Sequence, residues 1–236
     1  MTETPLLARL IGYLPMLAHG AVTTLWVSVL AILLGFALGA LLLGLTATRR
    51  RFGLVYHTAL LYLSFFRGTP LLVQLLMLFF LPAAAGLELP PILAAILALG
   101  LNSAAFQCEI LRAGLVAIPP GQVEAARSFG FNGRQIFRRI LLPQIARAVW
   151  PTLTSEAVDV IKGSAIVSVI AVTELARAGR QLASSSFRPL EVFLLVGAIY
   201  LLLTGLILLI SMKIGRGFGQ NSPARLPLPL QIKGKP

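Results

Sequence analysis

The chain has 236 residues, of which 57% are hydrophobic and 12% are charged, and this composition excludes an ordinary soluble domain. Its formal net charge of +12 does not indicate nucleic-acid binding, because the basic residues lie in loops between apolar stretches. These features are typical of an all-α membrane protein.

The first predicted membrane helix covers residues 21–46, after a short amphipathic stretch. No charged residue occurs between Leu10 and Thr48, and about 20 apolar residues are enough to cross a bilayer. Ala31, Gly35 and Gly39 recur at helical spacing, which favours close contact with a second helix. The following arginines, residues 49–51, end the span.

The second predicted span, residues 55–81, is interrupted by the sequence Arg67-Gly68-Thr69-Pro70. Proline frees a backbone carbonyl and kinks a membrane helix, and glycine beside it loosens the packing. Arg67 and Gln74 are seven residues apart, so we expect them to lie on one helical face. A third span begins near Pro90 and reaches about residue 117.

Residues 119–150 follow, and this 119–150 segment is too polar for lipid and too regular for a slack linker. Its pattern predicts two short helices joined by a Phe-Gly-Phe-Asn turn. Gly130 suits a left-handed C-cap for the first helix, and Asn132 can cap the second. Pro143 is expected to end or kink that second helix.

Two further spans are predicted over residues 148–172 and 191–212. Residues 1–215 then form a single membrane domain, and residues 216–236 form a basic, proline-containing cytoplasmic tail. If the 119–150 segment is cytoplasmic, thirteen Lys and Arg residues lie inside and four lie outside. Five spans with an outside N-terminus and a cytoplasmic C-terminus therefore satisfy the positive-inside rule.

The 119–150 segment also resembles a known motif, the EAA loop of ABC-importer permeases. The residues that match it at full spacing are Glu124, Ala125, Ala126, Gly130, Ile140, Leu142 and Pro143. Gly121-Gln122, Glu109-Ile110-Leu111-Arg112 and the stretch from Phe66 to Gln74 are similar to the polar amino acid branch, the histidine, glutamine and arginine permeases. The likeness covers almost the whole chain.

This resemblance implies a type I ABC-importer permease fold in a bacterial inner membrane. It implies that Gly121 and the EAA residues couple the chain to a cytoplasmic ABC ATPase dimer, which binds ATP and Mg. The remaining partners would be a second permease subunit or a copy of this chain, an extracytoplasmic solute-binding protein, a small-molecule solute and membrane lipid. From the residues alone, an amphipathic loop lying on the membrane surface is an equal alternative.

Polar residues inside the spans are candidates for a solute path, because a charge in lipid requires a partner or a wet cavity. The candidates are Arg67, Gln74, Asn102, Glu109, Glu156, Asp159, Lys162, Ser164 and Ser168. For Glu109 we favour a structural pair with Arg112, three residues on. Glu156 and Asp159 either neutralise Lys162 or lie near the cytoplasmic entrance.

One departure from the family pattern affects the solute path. Family members typically have Lys-Asp-Thr-Ser-Leu where this chain has Lys162-Gly163-Ser164-Ala165-Ile166. The missing carboxylate and hydroxyl leave two accounts open, a different solute or a paired permease that binds it.

No catalytic motif is present in the sequence. It contains no phosphate-binding loop, no cysteine–histidine cluster with metal spacing and two histidines in all. We therefore expect a permease subunit without a cofactor of its own, and nucleotide hydrolysis by a separate subunit. Alternatives are a self-sufficient secondary transporter, an efflux permease and a non-transporting membrane assembly protein.

Overall fold

The computed structural model describes residues 6–47 and 53–217, and within these ranges it contains helices and no strand. The helices are α1 (Leu6–Ala47), α2 (Gly53–Gly68), α3 (Leu71–Ala84), α4 (Pro91–Val116), α5 (Pro120–Ser128), α6 (Gly133–Ile136), α7 (Leu142–Gly163), α8 (Leu175–Ser186) and α9 (Pro189–Gly217). A π-helical segment, Phe137–Leu141, joins α6 to α7, and a 3-10 helix, Ser164–Ile170, follows α7.

Among the described residues, three helices are long and apolar enough to cross a membrane: α1, α4 and α9. Helices α2 and α3 together make a fourth candidate, broken between them by a bend of 114°. Helix α7 is long enough but carries four charged residues, so composition alone does not identify it as a span. The five-span topology therefore stays a prediction.

Helix α1 is longer than the sequence predicted. It has 42 residues, which corresponds to about 63 Å at the rise of an α-helix. The amphipathic N-terminal stretch, which we expected to be separate, continues directly into the membrane helix. Pro15 lies inside this helix without ending it.

The contact between α1 and α4 depends on small residues, as predicted. A Cβ atom on Gly39 would lie 3.0 Å from the carbonyl oxygen of Ala104, and one on Gly35 would lie 2.8 Å from the side-chain nitrogen of Gln107. On α4, a Cβ on Gly100 would lie 2.7 Å from Leu34. Larger residues at these positions would push the two helices apart.

Helix α4 forms the centre of the molecule. Its Ala94, Ala98 and Leu99 are buried together with Val27 of α1 and Leu75 of α3. Because α4 also packs on α2 and α7, it holds the elements that carry the candidate site residues.

A second apolar cluster joins α1, α8 and α9 through Leu17, Leu175 and Val192. The sequence did not predict α8, which is short and contains two arginines. Its start is fixed by Glu174, whose carboxylate accepts hydrogen bonds from the backbone N–H groups of Ala176 and Arg177, each at 2.7 Å. This carboxylate is buried and also accepts a hydrogen bond from the hydroxyl of Tyr200 at 3.0 Å.

Two boundary predictions around α7 were wrong. The second helix of the 119–150 segment is not separate, because α6, the π-helical segment and α7 run on without a break. Pro143 does not end this helix, and the kink given as the alternative stays a prediction. A wider π turn precedes the proline, in which the N–H of Leu142 bonds the carbonyl of Phe137, and it leaves space for the proline ring. At its other end α7 stops at Gly163 rather than reaching residue 172, and the 3-10 helix ends at Ala171 with φ of 69°.

Two predicted features lie outside the described residues. They are the arginines at 49–51 and all of the basic tail except Arg216 and Gly217, which belong to α9.

Candidate functional site

The turn of the 119–150 segment is held by backbone hydrogen bonds. Gly130 has φ of 78°, a conformation that suits glycine. Its N–H bonds the carbonyl of Arg127 at 2.9 Å, and the N–H of Phe131 bonds the carbonyl of Ala126 at 3.1 Å. This pair of bonds is a Schellman motif, which confirms the left-handed cap predicted at Gly130.

The helix after the turn begins with a complete capping box. The side chain of Asn132 accepts from the N–H of Gln135 at 2.9 Å, and the side chain of Gln135 accepts from the N–H of Asn132 at 2.9 Å. The predicted cap at Asn132 is therefore confirmed, and the reciprocal bond adds to it.

A third contact connects the start of α5 to α7. The side-chain amide of Gln144 donates to the side-chain oxygen of Gln122 at 2.7 Å. Because this bond joins the first helix of the 119–150 segment to the last, the segment is a compact structure and not an extended loop.

The EAA residues divide between the interior and the surface of this segment. Ala126 is buried, whereas Gly121, Glu124, Ala125 and Gly130 are exposed. Further along, Ile140 is half-buried, and Leu142 and Pro143 are exposed. The exposed members are available to a partner protein.

Sequence reasoning did not single out Phe129 as a contact residue. This aromatic side chain, next to Gly130, is 83% exposed. An exposed phenylalanine and the exposed Glu124 give the segment both an apolar and a charged contact group. Its position next to the turn glycine was the feature of the sequence that could have indicated exposure.

Three of the charged residues within the spans form a cluster. Glu109 lies 3.9 Å from Arg67 of α2 and 3.5 Å from Arg112 of its own helix. Arg112 also donates to the hydroxyl of Thr46 in α1 at 3.0 Å. The predicted pair of Glu109 with Arg112 is confirmed, and the structure adds Arg67 to it.

This cluster borders a cavity of about 430 Å³ between α2, α4 and α7. Arg67 and Glu109 contribute its charged groups, and Phe106 and Thr152 line it as well. A cavity of this size is in the range of small-molecule sites.

Gln74 and Asn102 lie elsewhere, at the break between α2 and α3. The amide nitrogen of Gln74 donates to the carbonyls of Phe66 and Thr69, each at 3.0 Å. Asn102 of α4 donates to the same Phe66 carbonyl at 3.1 Å and to the side-chain oxygen of Gln74 at 2.9 Å. Both side chains thus satisfy backbone groups at the break. The predicted shared helical face of Arg67 and Gln74 was wrong, because the helix turns between them.

The remaining path candidates lie on α7 and just after it. Glu156 accepts a hydrogen bond from Ser103 of α4 at 2.7 Å, so it does not pair with Lys162. Asp159 does pair with Lys162, at 2.7 Å, and both side chains are largely exposed.

The two serines donate to the backbone carbonyls three residues before them. Ser164 bonds Ile161 and Ser168 bonds Ala165, each at 2.7 Å. These bonds lie at the transition from α7 to the 3-10 helix and within that helix. Whether any of the nine path candidates contacts a solute stays a prediction.

Within residues 6–47 and 53–217, no three His, Cys, Asp or Glu side chains come together in a way that could hold a metal ion. In the cavity beside Glu109, Arg67 is the basic residue of the lining, and Arg112 contacts the same carboxylate.

Residues 31–215 match a family model described as the inner membrane component of a binding-protein-dependent transport system. The chain belongs to this family. Its relatives include the L-cystine transport system permease protein TcyL of Bacillus subtilis, which is 36% identical over 80% of this chain and 81% of the relative. The arginine transport system permease protein ArtQ of the same organism is 35% identical over 89% of this chain and 96% of the relative.

A third relative is the glutamine transport system permease protein GlnP of Escherichia coli strain K12. It is 34% identical over 81% of this chain and 87% of its own length. The chain thus spans most of the length of each of these transport-system permeases.

Solved structures agree with this assignment. A crystal structure of an amino acid ABC transporter with histidines has 33% identity and a TM-score of 0.82, and the match covers 92% of this chain and all of the other. An inward-facing structure of the methionine ABC transporter MetNI, at 24% identity, has a TM-score of 0.71 over 86% of this chain and 96% of the other and shows the fold alone. The predicted all-α fold of ABC-importer permeases is confirmed.

Proposed function

We propose that this chain is the transmembrane subunit of an ATP-driven importer of polar amino acids or related small solutes in a bacterial inner membrane. The observation that carries the proposal is the braced and exposed 119–150 segment between α4 and α7. In the proposed topology, α1, the α2–α3 pair, α4, α7 and α9 cross the membrane, with the N-terminus outside and the C-terminus in the cytoplasm. The 119–150 segment then faces the cytoplasmic ATPase dimer.

Rigidity is what this role requires of the segment. The Schellman motif, the capping box and the Gln122–Gln144 bond resist deformation when a partner pushes on it. Because α6 continues through the π-helical segment into α7, a displacement of the segment is passed on to a helix that lines the cavity beside Glu109. Closure of an ATPase dimer that holds ATP and Mg would thereby switch the access of the cavity from one side to the other.

The solute class is supported by the relatives and by the cavity. Permeases of L-cystine, arginine and glutamine systems are all relatives, and these solutes share an α-carboxylate and an α-amino group. Arg67 and Glu109 offer one charge of each sign at the wall of the cavity. In this proposal an external binding protein delivers the solute, and a second permease, either another chain or a copy of this one, completes the path.

The test is uptake by the complete importer in proteoliposomes, with its ATPase and binding protein. We expect Glu124→Lys to abolish most ATP-dependent uptake while the chain still inserts and folds. The variant reverses the charge of an exposed residue that, in this proposal, contacts the ATPase. The matched control is Glu88→Lys, since Glu88 is an exposed glutamate in the connection between α3 and α4, at the opposite membrane side in this topology.

Wild-type uptake by a correctly assembled Glu124→Lys importer would contradict the coupling role. Equal loss in both variants would show a general charge effect. Thermal-shift screening of the binding protein against amino acids would identify the solute.

A further inference from the structure

A second concave surface lies between α1, α7 and α9. It is a groove of about 370 Å³, and apolar side chains form most of its walls. They include Leu33, Phe36, Leu153, Ala157, Ile210 and Ile214. The volume falls within the range of sites that hold small molecules.

The polar side chains in this groove already have partners. The indole N–H of Trp150 donates to the carbonyl of Ser211 at 3.0 Å. The hydroxyl of Thr154 donates to the carbonyl of Trp150 at 2.9 Å and pairs with the hydroxyl of Ser211. The amide nitrogen of Gln107 donates to Ser103 and to the carbonyl of Ile32. The walls therefore suit a hydrocarbon chain better than a polar solute.

The groove and the charged cavity lie on opposite sides of α7. Thr152 lines the cavity beside Glu109, whereas Trp150 and Thr154 line the groove. Residues two apart on a helix point about 200° away from each other. The groove consequently faces away from the cavity that the proposed function assigns to solute, and two of the helices that form it, α1 and α9, are long and apolar enough to cross a membrane.

Two basic residues lie next to one end of the groove in sequence, although neither of them lines it. Arg147 precedes Trp150 by three residues, which is nearly one turn of α7, and Lys213 directly precedes Ile214 on α9; both are exposed. From Ile207 to Ile214 the groove follows α9 for about 10 Å, less than half the thickness of a bilayer's hydrocarbon core. Its dimensions and charge thus match one lipid of a single leaflet.

We propose that this groove binds an anionic phospholipid. One acyl chain lies along Leu153, Ala157 and Ile210, and the phosphate lies near Arg147 and Lys213. Each basic residue near an anionic lipid surface increases the affinity for that lipid about fivefold. The assignment of this lipid to the cytoplasmic leaflet rests on the proposed function, but the binding itself does not.

The test uses the position of Trp150 in the groove wall. The chain has two tryptophans, so Trp26→Phe leaves Trp150 as its single tryptophan. The full chain is placed in phosphatidylcholine nanodiscs that contain a small fraction of either brominated phosphatidylglycerol or brominated phosphatidylcholine, whose acyl chains quench tryptophan on contact. We expect several-fold stronger quenching by the brominated phosphatidylglycerol.

Two variants separate the acyl chain from the headgroup. Ala157→Phe fills the groove, and the double variant Arg147→Gln/Lys213→Gln removes the two basic residues next to its end; each is expected to abolish the preference for phosphatidylglycerol. Arg180→Gln, an exposed charge on α8, is the control and should keep it. The double variant changes no residue that lines the groove, so a folding defect in Ala157→Phe would not prevent the test.

Two outcomes would overturn the proposal. Equal quenching by both brominated lipids in the Trp26→Phe chain would mean ordinary contact with bulk lipid. A second copy of the chain would cover the groove if both lipids quench weakly in nanodiscs that hold several chains and more strongly in nanodiscs that hold one. The assay needs no ATPase and no transport, so its result is independent of the uptake experiment with Glu124→Lys.

Discussion

Pro70 and Pro143 each lie where the backbone departs from a regular α-helix, and the departure differs between them. At Pro70 the helix breaks and turns by 114°, whereas at Pro143 it continues through a π turn. At Pro70 the freed carbonyl groups are bonded by side chains, Gln74 nearby and Asn102 from α4. At Pro143 the helix widens to a π turn, and the side-chain amide of Gln144 donates to the carbonyl of Ile140 at 2.9 Å. The sharp bend at Pro70 thus coincides with a donor from a second helix, Asn102 of α4, for a carbonyl that the bend exposes.

The largest effect on stability is expected from Gln74→Leu. The change keeps the size of the side chain but removes every bond from it to Phe66 and Thr69, and it removes the acceptor of Asn102. Each buried polar group left without a partner costs about 1–3 kcal/mol. The measurement is the rate at which a thiol dye labels Cys108, the single cysteine, which is fully buried beside Leu63 of α2.

We expect Gln74→Leu to accelerate the labelling of Cys108. When labelling is followed during heating, we also expect its midpoint to occur at a lower temperature. Val73→Leu, at an exposed neighbouring position, is the control. If both variants label like the wild type, the side-chain bonds at Pro70 do not stabilise the break.

A smaller effect is expected from Asn102→Ala. The Phe66 carbonyl loses one donor but keeps the bond from Gln74, whereas the side-chain oxygen of Gln74 loses its donor. One buried group is left without a partner, so the cost should be about 1 kcal/mol. The same labelling assay compares the stability of the two variants. A greater loss of stability in Asn102→Ala than in Gln74→Leu would mean that the donor from α4, and not Gln74, stabilises the break.

The smallest effect on stability, but a large one on uptake, is expected from Pro143→Ala. Alanine supplies the missing N–H and removes the ring, so the wider turn can close into a regular α-helix. The 119–150 segment would then rotate relative to α7. We expect uptake to fall while Cys108 labelling stays near that of the wild type. Pro151→Ala, which removes another proline inside α7, is the matched control, and unchanged uptake in Pro143→Ala would show that the π turn does not set the geometry of coupling.

The sequence predicted features whose cause is local. Gly130 and Asn132 act through bonds within a few residues, so their caps could be predicted from residue type and spacing. An interruption at residues 67–70 was also predictable, because proline lacks an N–H wherever it occurs. The bend of 114° was not, since it depends on Leu75 packing among residues of α4 and on Asn102 reaching across from that helix.

Dependence on contacts between helices also explains why the candidates for the solute path could not be separated by sequence. Gln74, Asn102 and Glu156 are polar groups within apolar stretches, and sequence alone does not show which of them find partners on other helices. Glu156 bonds Ser103, which is 53 positions away in the chain. Helix α8 was missed for a related reason: it is short and polar, and its apolar residues form a cluster only when α1 and α9 surround it.

The glycines of α1 have a mechanical consequence. Gly39 lies so close to the backbone of α4 that a methyl group would lie 3.0 Å from both Ala104 and Cys108, and such an interface does not let one helix slide past the other by a residue. Helices α1 and α4 must then travel as a single rigid body during any transport cycle, and the flexing of the molecule has to occur in its broken and widened helices.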